Sequence, residues 1–90
     1  MKSIEIIVTH DVGLHARPAS QFVQLAAKFP CDIKICNMSE DGALVNAKSI
    51  LSVLTLGVNK DHRIKLEADG DQEEEAVQAL TELIVNNFGE

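Results

Sequence analysis

No stretch of this sequence is apolar for the eighteen or so residues that a membrane-spanning helix requires, although 46% of the chain is hydrophobic. Membrane insertion is therefore not expected. Basic residues are scarce: eight Lys and Arg stand against fourteen Asp and Glu, a formal net charge of −6. That balance disfavours a protein that grips nucleic acid through its phosphates. Met1 and a lone Lys2 are followed by Ile4, Glu5 and Ile6, with no basic segment leading into a long apolar run and a small-residue cleavage site, so the mature protein is expected to begin near here. Cysteine occurs only as Cys31 and Cys36. Their odd spacing in a strand points them to opposite faces, which favours free thiols and a reducing compartment over a disulfide. The three His form no spacing typical of a metal site, so no metal is expected. Also lacking are a Gly-rich nucleotide loop, a carboxylate cluster for magnesium and a general-base partner for a serine. No cofactor is implied.

What is present reads as one small domain over residues 1–90. Ile4, Ile6 and Val8 alternate with mostly polar residues, the period of a strand with one buried face. After turn chemistry at Asp11 to Gly13, the residues Ala19, Phe22, Val23 and Ala26 recur at helical spacing up to Phe29, and Pro30 stops the run. Ile33 and Ile35 predict a second strand, joined through Ser39-Glu40-Asp41-Gly42 to a short third over Ala43 to Val45. From Asn46, the run Ala47 to Leu54 suits a two-turn helix ended near Gly57. Ile64, Leu66 and Ala68 predict a last strand with one wet face. Asp69-Gly70-Asp71 then opens a helix with Glu73, Glu74 and Glu75 in its first turn and a buried stripe of Ala76, Val77, Leu80, Leu83 and Ile84. This order predicts a two-layer α+β domain, an antiparallel sheet covered on one side by helices.

The segment Gly13-Leu14-His15-Ala16-Arg17-Pro18-Ala19 sets a histidine at the N-cap of the first predicted helix. The backbone N–H groups of Ala16 and Arg17 lack intrahelical acceptors there, and the peptide dipoles add partial positive charge, so the spot attracts an anion. Pro18 is tolerated in a first turn and stiffens it. The Arg17 guanidinium offers paired donors suited to phosphoryl oxygens, and the positive helix end disfavours imidazolium, keeping the ring nucleophilic. Phosphoryl transfer needs little more than an in-line nucleophile and donors for the spreading charge. Spacing alone leaves His15 open between this role and that of an ordinary cap or surface residue. His10 and His62 fall in or beside turns, where solvated side chains without a task are the default.

The second segment is Asn46-Ala47-Lys48-Ser49-Ile50-Leu51-Ser52-Val53-Leu54. So short a helix buries one stripe, so some of Ile50, Leu51, Val53 and Leu54 should stay exposed as a docking surface. The alternative, that all four pack under a loop, stays equally open on pattern alone. Ser49, near the start of this helix, reads on pattern alone as a capping or solvated hydroxyl.

Together the two segments resemble the HPr family of the bacterial phosphoenolpyruvate-dependent sugar phosphotransferase system, over essentially the whole chain. The resemblance implies an HPr-like open-faced β-sandwich, with strand order 1-4-2-3 and three helices on one face. It implies a cytoplasmic, monomeric phosphocarrier, a phosphoryl-transfer intermediate rather than a stand-alone enzyme. By it, His15 is phosphorylated on Nδ1 and supported by Arg17 and the Ala16 and Arg17 amides. Enzyme I is the donor and enzyme IIA domains are the acceptors. Ser49 is phosphorylated by HPr kinase/phosphorylase, with Leu14, Ile50, Leu51 and Leu54 in the docking patch. A transcriptional regulator binds the serine-phosphorylated form in some bacteria, which links such proteins to carbon catabolite regulation. The Gln72-Glu73-Glu74-Glu75-Ala76 and Asn87-Phe88-Gly89 segments are also similar to the nitrogen-branch phosphocarriers, whereas Lys48-Ser49 favours the serine-regulated form. A regulatory binding module with an idle His15 is the remaining alternative.

Overall fold

In the computed structural model the described residues are 1–9, 16–40 and 43–86. The turn expected at Asp11 to Gly13 and part of the Ser39 to Gly42 turn lie outside them. The elements follow the order β1 (Lys2–Ile7), α1 (Ala16–Ala26), β2 (Asp32–Asn37), β3 (Val45–Asn46), α2 (Ile50–Leu54), β4 (Arg63–Asp69) and α3 (Glu73–Val85).

The four strands form one sheet in the order β1-β4-β2-β3, every neighbouring pair antiparallel. Register is set by the alternation of apolar residues: Ile4 faces Leu66, Ile6 faces Ile64 and Ile35 faces Leu66. A slip by one residue would turn each of these side chains to the opposite face. Ile6, Ile33, Ile35, Ile64, Leu66 and Ala68 are buried and meet Phe22 and Ala26 of α1 and Ala76, Leu80 and Ile84 of α3 in one core. The other face of β2 and β4 carries Asp32, Lys34, Lys65 and Glu67, which accords with helices covering one side only. This is the open-faced arrangement, strand order 1-4-2-3, expected from the family resemblance.

Three boundaries differ from the sequence reading, and at the two helices a hydrogen bond outcompetes the periodic pattern. The regular part of α1 ends at Ala26, and the chain tightens through the Lys28 N–H to the Leu25 carbonyl (3.1 Å) and the Phe29 N–H to the Ala26 carbonyl (3.2 Å) before Pro30. β3 is Val45–Asn46 rather than Ala43 to Val45. α2 starts at Ile50, not Ala47, because the Ala47 N–H is drawn to the Ile33 carbonyl (2.9 Å) and the Asn46 side chain accepts from the Lys48 N–H (2.9 Å). Gly57 follows α2 with a φ of +63°, and Gly70 precedes α3 with a φ of +125°. A Cβ on Gly70 would also lie 3.3 Å from the Cα and Cβ of Cys31, so that turn demands glycine twice over. Cys31 and Cys36 are free thiols, both buried.

Candidate functional site

Helix α1 begins at Ala16, the residue after His15 in the chain. His15 and Leu14 themselves lie outside the described residues. The amides of Ala16 and Arg17 stand at the open N-terminus of the helix, where no intrahelical acceptor exists. Pro18, buried, has no N–H to lose. Arg17 is exposed and forms no ion pair among the described residues. The first turn of α1 carries no acidic residue, whereas α3 opens on Glu73, Glu74 and Glu75. Thus α3 sets carboxylates at its own positive end, whereas the first turn of α1 contains none and includes Arg17.

Ser49 sits at the N-cap of α2, where its hydroxyl accepts from the Ser52 N–H at 3.4 Å. The capping role is therefore real, although the bond is long. Of the four apolar residues that follow, Val53 is buried, while Ile50, Leu51 and Leu54 are 36%, 74% and 37% exposed. The expectation of an exposed apolar face is met, and the alternative that all four pack under a loop is not. Helix α2 packs beside α1. The Lys48 ammonium donates to the Phe29 carbonyl at 2.7 Å, tying the entry of α2 to the C-terminal end of α1, where a cation is favoured.

A polar cluster that pattern reading missed lies at the ends of β2 and β4. Asn37 is fully buried. Its Nδ2 donates to the Leu56 carbonyl (3.1 Å) and meets His62 Nδ1 at 3.1 Å, and its Oδ1 accepts from the Ser39 N–H at 3.0 Å. His62 Nδ1 also accepts from the Asn59 N–H (3.2 Å), so the ring proton belongs on Nε2. His62 is thus not the solvated turn residue its position suggested; it is half-buried and holds the loop before β4. The Val8 N–H donates to the His62 carbonyl (2.9 Å) and the Asp61 N–H to the Val8 carbonyl (2.7 Å), which fixes the exit of β1. A buried Asn at the end of an otherwise apolar alternation was the one available signal.

The Met1 amino group lies 2.9 Å from Glu73 Oε2. That hydrogen bond is the main reason the Glu73 carboxyl is held below its usual range, assisted by the Gly70 N–H donating to Oε1 at 3.2 Å. Reciprocally, the bond to Glu73 raises the amine above its usual value. Among the described residues no group of His, Cys, Asp and Glu is arranged to hold a metal ion.

The fold is a small open-faced α+β domain whose first helix starts with Arg17 and no carboxylate beside a short apolar helix, and comparison with known proteins gives it a family. Residues 2–86 match the family model described as the PTS HPr component phosphorylation site, and the chain belongs to the HPr family of phosphocarriers of the phosphotransferase system. The phosphocarrier protein HPr of Pseudomonas aeruginosa is 40% identical over 90 residues, covering 100% of this chain and 98% of that protein. The crystal structure of HPr-C-His from Thermoanaerobacter tengcongensis is 48% identical, with a TM-score of 0.92 over 100% of this chain and 98% of that one. An HPr dimer from the same organism, at 48% identity, superposes with a TM-score of 0.76 and covers 100% of both chains.

Proposed function

We propose that this HPr-family chain accepts a phosphoryl group on Nδ1 of His15 from phosphorylated enzyme I and passes it to an enzyme IIA domain during sugar uptake. In each step the bond from phosphorus to the departing group breaks as the bond to the incoming nitrogen or acceptor forms in line. The observation that carries this is the start of α1: two amides without intrahelical acceptors, an exposed Arg17 without an ion pair among the described residues, and no carboxylate in the first turn. Such a site favours a dianion on the adjoining residue, which is His15.

Ile50, Leu51 and Leu54, with Leu14, would form the contact for successive partners, and Ser49 would be the residue modified by HPr kinase/phosphorylase. A phosphate there sets roughly −1.5 to −2 charges beside an apolar contact, which weakens docking without remodelling the fold. A transcriptional regulator that reads the modified form would recognise that same helix. The protein would act in the cytoplasm as a monomer, because one face must be presented to partners in turn. Light scattering that shows one chain across a dilution series is the expected result, and a stable dimer would overturn it.

The transfer itself is tested with cognate enzyme I and labelled phosphoenolpyruvate. Wild type should take up acid-labile phosphate, His15→Ala should take up none, and Arg17→Ala should be labelled at least about tenfold more slowly, as expected for loss of a charge-assisted contact. Equal labelling of His15→Ala would refute the relay. Unlabelled wild type that still binds partners through α2 would favour the second reading, a regulatory binding module, which the exposed Leu51 face supports. Labelling by a nitrogen-branch donor in preference to the sugar-branch one would move the chain to that branch.

A further inference from the structure

Strand β1 lies at one edge of the sheet, paired with β4 on its inner side only. The register sets Lys2 against Ala68, Ile4 against Leu66 and Ile6 against Ile64, and the Val8 N–H to His62 carbonyl bond continues the alternation. In an antiparallel ladder this phase turns the amides of the even residues inward and those of Ser3, Glu5 and Ile7 outward. Among the described residues no strand pairs with that outward row.

Beside this edge runs a groove of about 410 Å³ between β1 and α3, lined by Lys2, Ile4, Glu74, Val77, Thr81 and Glu82. Its floor is apolar, since Ile4 and Val77 are both only half-buried and pack on the core. Its charge has one sign to spare. Lys2 is already engaged with Glu74 at 3.4 Å, while among the described residues the Glu82 carboxylate meets only the Gln78 amide, which donates at 3.4 Å. Helix α3 carries Glu73, Glu74, Glu75 and Glu82 and no Lys or Arg, and the negative end of its dipole lies towards Glu82.

We propose that this edge binds an extended basic peptide of a partner protein as a fifth, antiparallel strand. The peptide would exchange backbone hydrogen bonds with Ser3, Glu5 and Ile7. It would place an apolar side chain on Ile4 and Val77 and, two positions away on the same face, a Lys or Arg within reach of Glu82. The groove volume falls in the roughly 300–1,000 Å³ range of ligand sites, and alternating side chains would supply specificity while the main chain supplies affinity. The groove flanks the edge opposite β3, against which α2 packs. Occupancy therefore leaves the apolar face of α2 uncovered, so a tethered partner would not block docking there. The proposal stands on the β1 edge and α3 alone and does not depend on the role of His15.

The test is a titration of the full ¹⁵N-labelled chain with the blocked hexapeptide Thr-Val-Thr-Lys-Thr-Thr, which sets valine and lysine two positions apart on one face. The Ser3, Glu5 and Ile7 amides should shift and gain protection from hydrogen exchange, and the Val77 and Thr81 methyl groups should move, with a dissociation constant at or below about 1 mM. The matching valine–glutamate peptide should bind at least about tenfold more weakly, and E74Q/E82Q about threefold more weakly than wild type, the range expected for exposed charge pairs. T81R, which sets a long side chain into the groove from the half-buried Thr81, should abolish binding while leaving the remaining spectrum unchanged. Shifts confined to other surfaces, or equal affinity for the acidic peptide, would overturn the proposal. So would the same amides shifting with protein concentration in the absence of peptide, which would identify a second copy as the occupant.

Discussion

Asn37 shows how much one side chain decides. Its amide satisfies the Leu56 carbonyl at the end of α2, the His62 ring before β4 and the Ser39 N–H after β2, so three separate chain segments depend on one buried polar group. Asn37→Ala removes the donor to the Leu56 carbonyl and the acceptor of the Ser39 N–H, and should cost roughly 1–3 kcal/mol. Urea unfolding measures this directly; a loss below about 1 kcal/mol would mean that water replaces the amide at little cost. His62 takes its tautomer from the same cluster, and Asp61 is held at a φ of +69° beside it, a region that Asp tolerates better than most residues. None of this follows from residue spacing, because His62 and Asn37 are far apart in the chain and meet only when β2 and β4 pair.

At the scale of elements, α2 is the informative one. Five residues are too few to be stable alone. The helix persists because Val53 is buried and because Lys48, Ser49 and Thr55 tie its ends, the Thr55 hydroxyl donating to the Ser52 carbonyl at 2.6 Å. Loss of the long Ser49 cap in Ser49→Ala should cost only ~0.5 kcal/mol. Ser49→Asp should leave the circular dichroism spectrum unchanged while slowing transfer from enzyme I about tenfold, the effect of charge beside an apolar contact. Mass spectrometry after treatment with the cognate kinase and ATP should place the phosphate on Ser49. If it lies on Ser52, or if Ser49→Ala and Ser49→Asp transfer equally fast, α2 is not a charge-operated switch.

Across the whole molecule, surface is the scarce resource. A typical partner footprint is about 800 Å², a sixth of the 4980 Å² that the chain exposes. Successive partners sharing the α1–α2 face thus fit better than several simultaneous ones. On the opposite flank Met1 is joined to Glu73 and Asp69, and Lys2 to Glu74. These contacts clamp the first strand to the last helix and should give stability a defined pH profile. Glu73 has a lowered folded pKa, so its contribution is complete above its ordinary value of 4.5 and is lost as pH falls below that towards the folded value. The Met1 amine has a raised folded pKa, so its contribution is complete below 8.0 and is lost as pH rises through the folded value. Thermal melts of wild type and Glu73→Gln across this range should diverge least at the two extremes and most between them. Parallel curves would show that the clamp contributes nothing.

Much of this was legible from order alone, since the alternation of Ile4 and Ile6, of Ile33 and Ile35, and of Ile64, Leu66 and Ala68 dictates four strand segments with one wet face when joined to a short third strand. The helical stripes through Phe22 and Leu80 dictate what covers the other face. The charge asymmetry between the starts of α1 and α3 is likewise written in the residues, because helix-end electrostatics is local. Tertiary structure decided the rest. It set which of Ile50, Leu51, Val53 and Leu54 would be buried, since a periodic pattern does not say which side faces the neighbouring helix. It also paired Asn37 with His62 and left the outer edge of β1 open beside α3. Those outcomes depend on contacts between residues remote in the chain, and only the closing of the sheet and the docking of the helices bring such residues together.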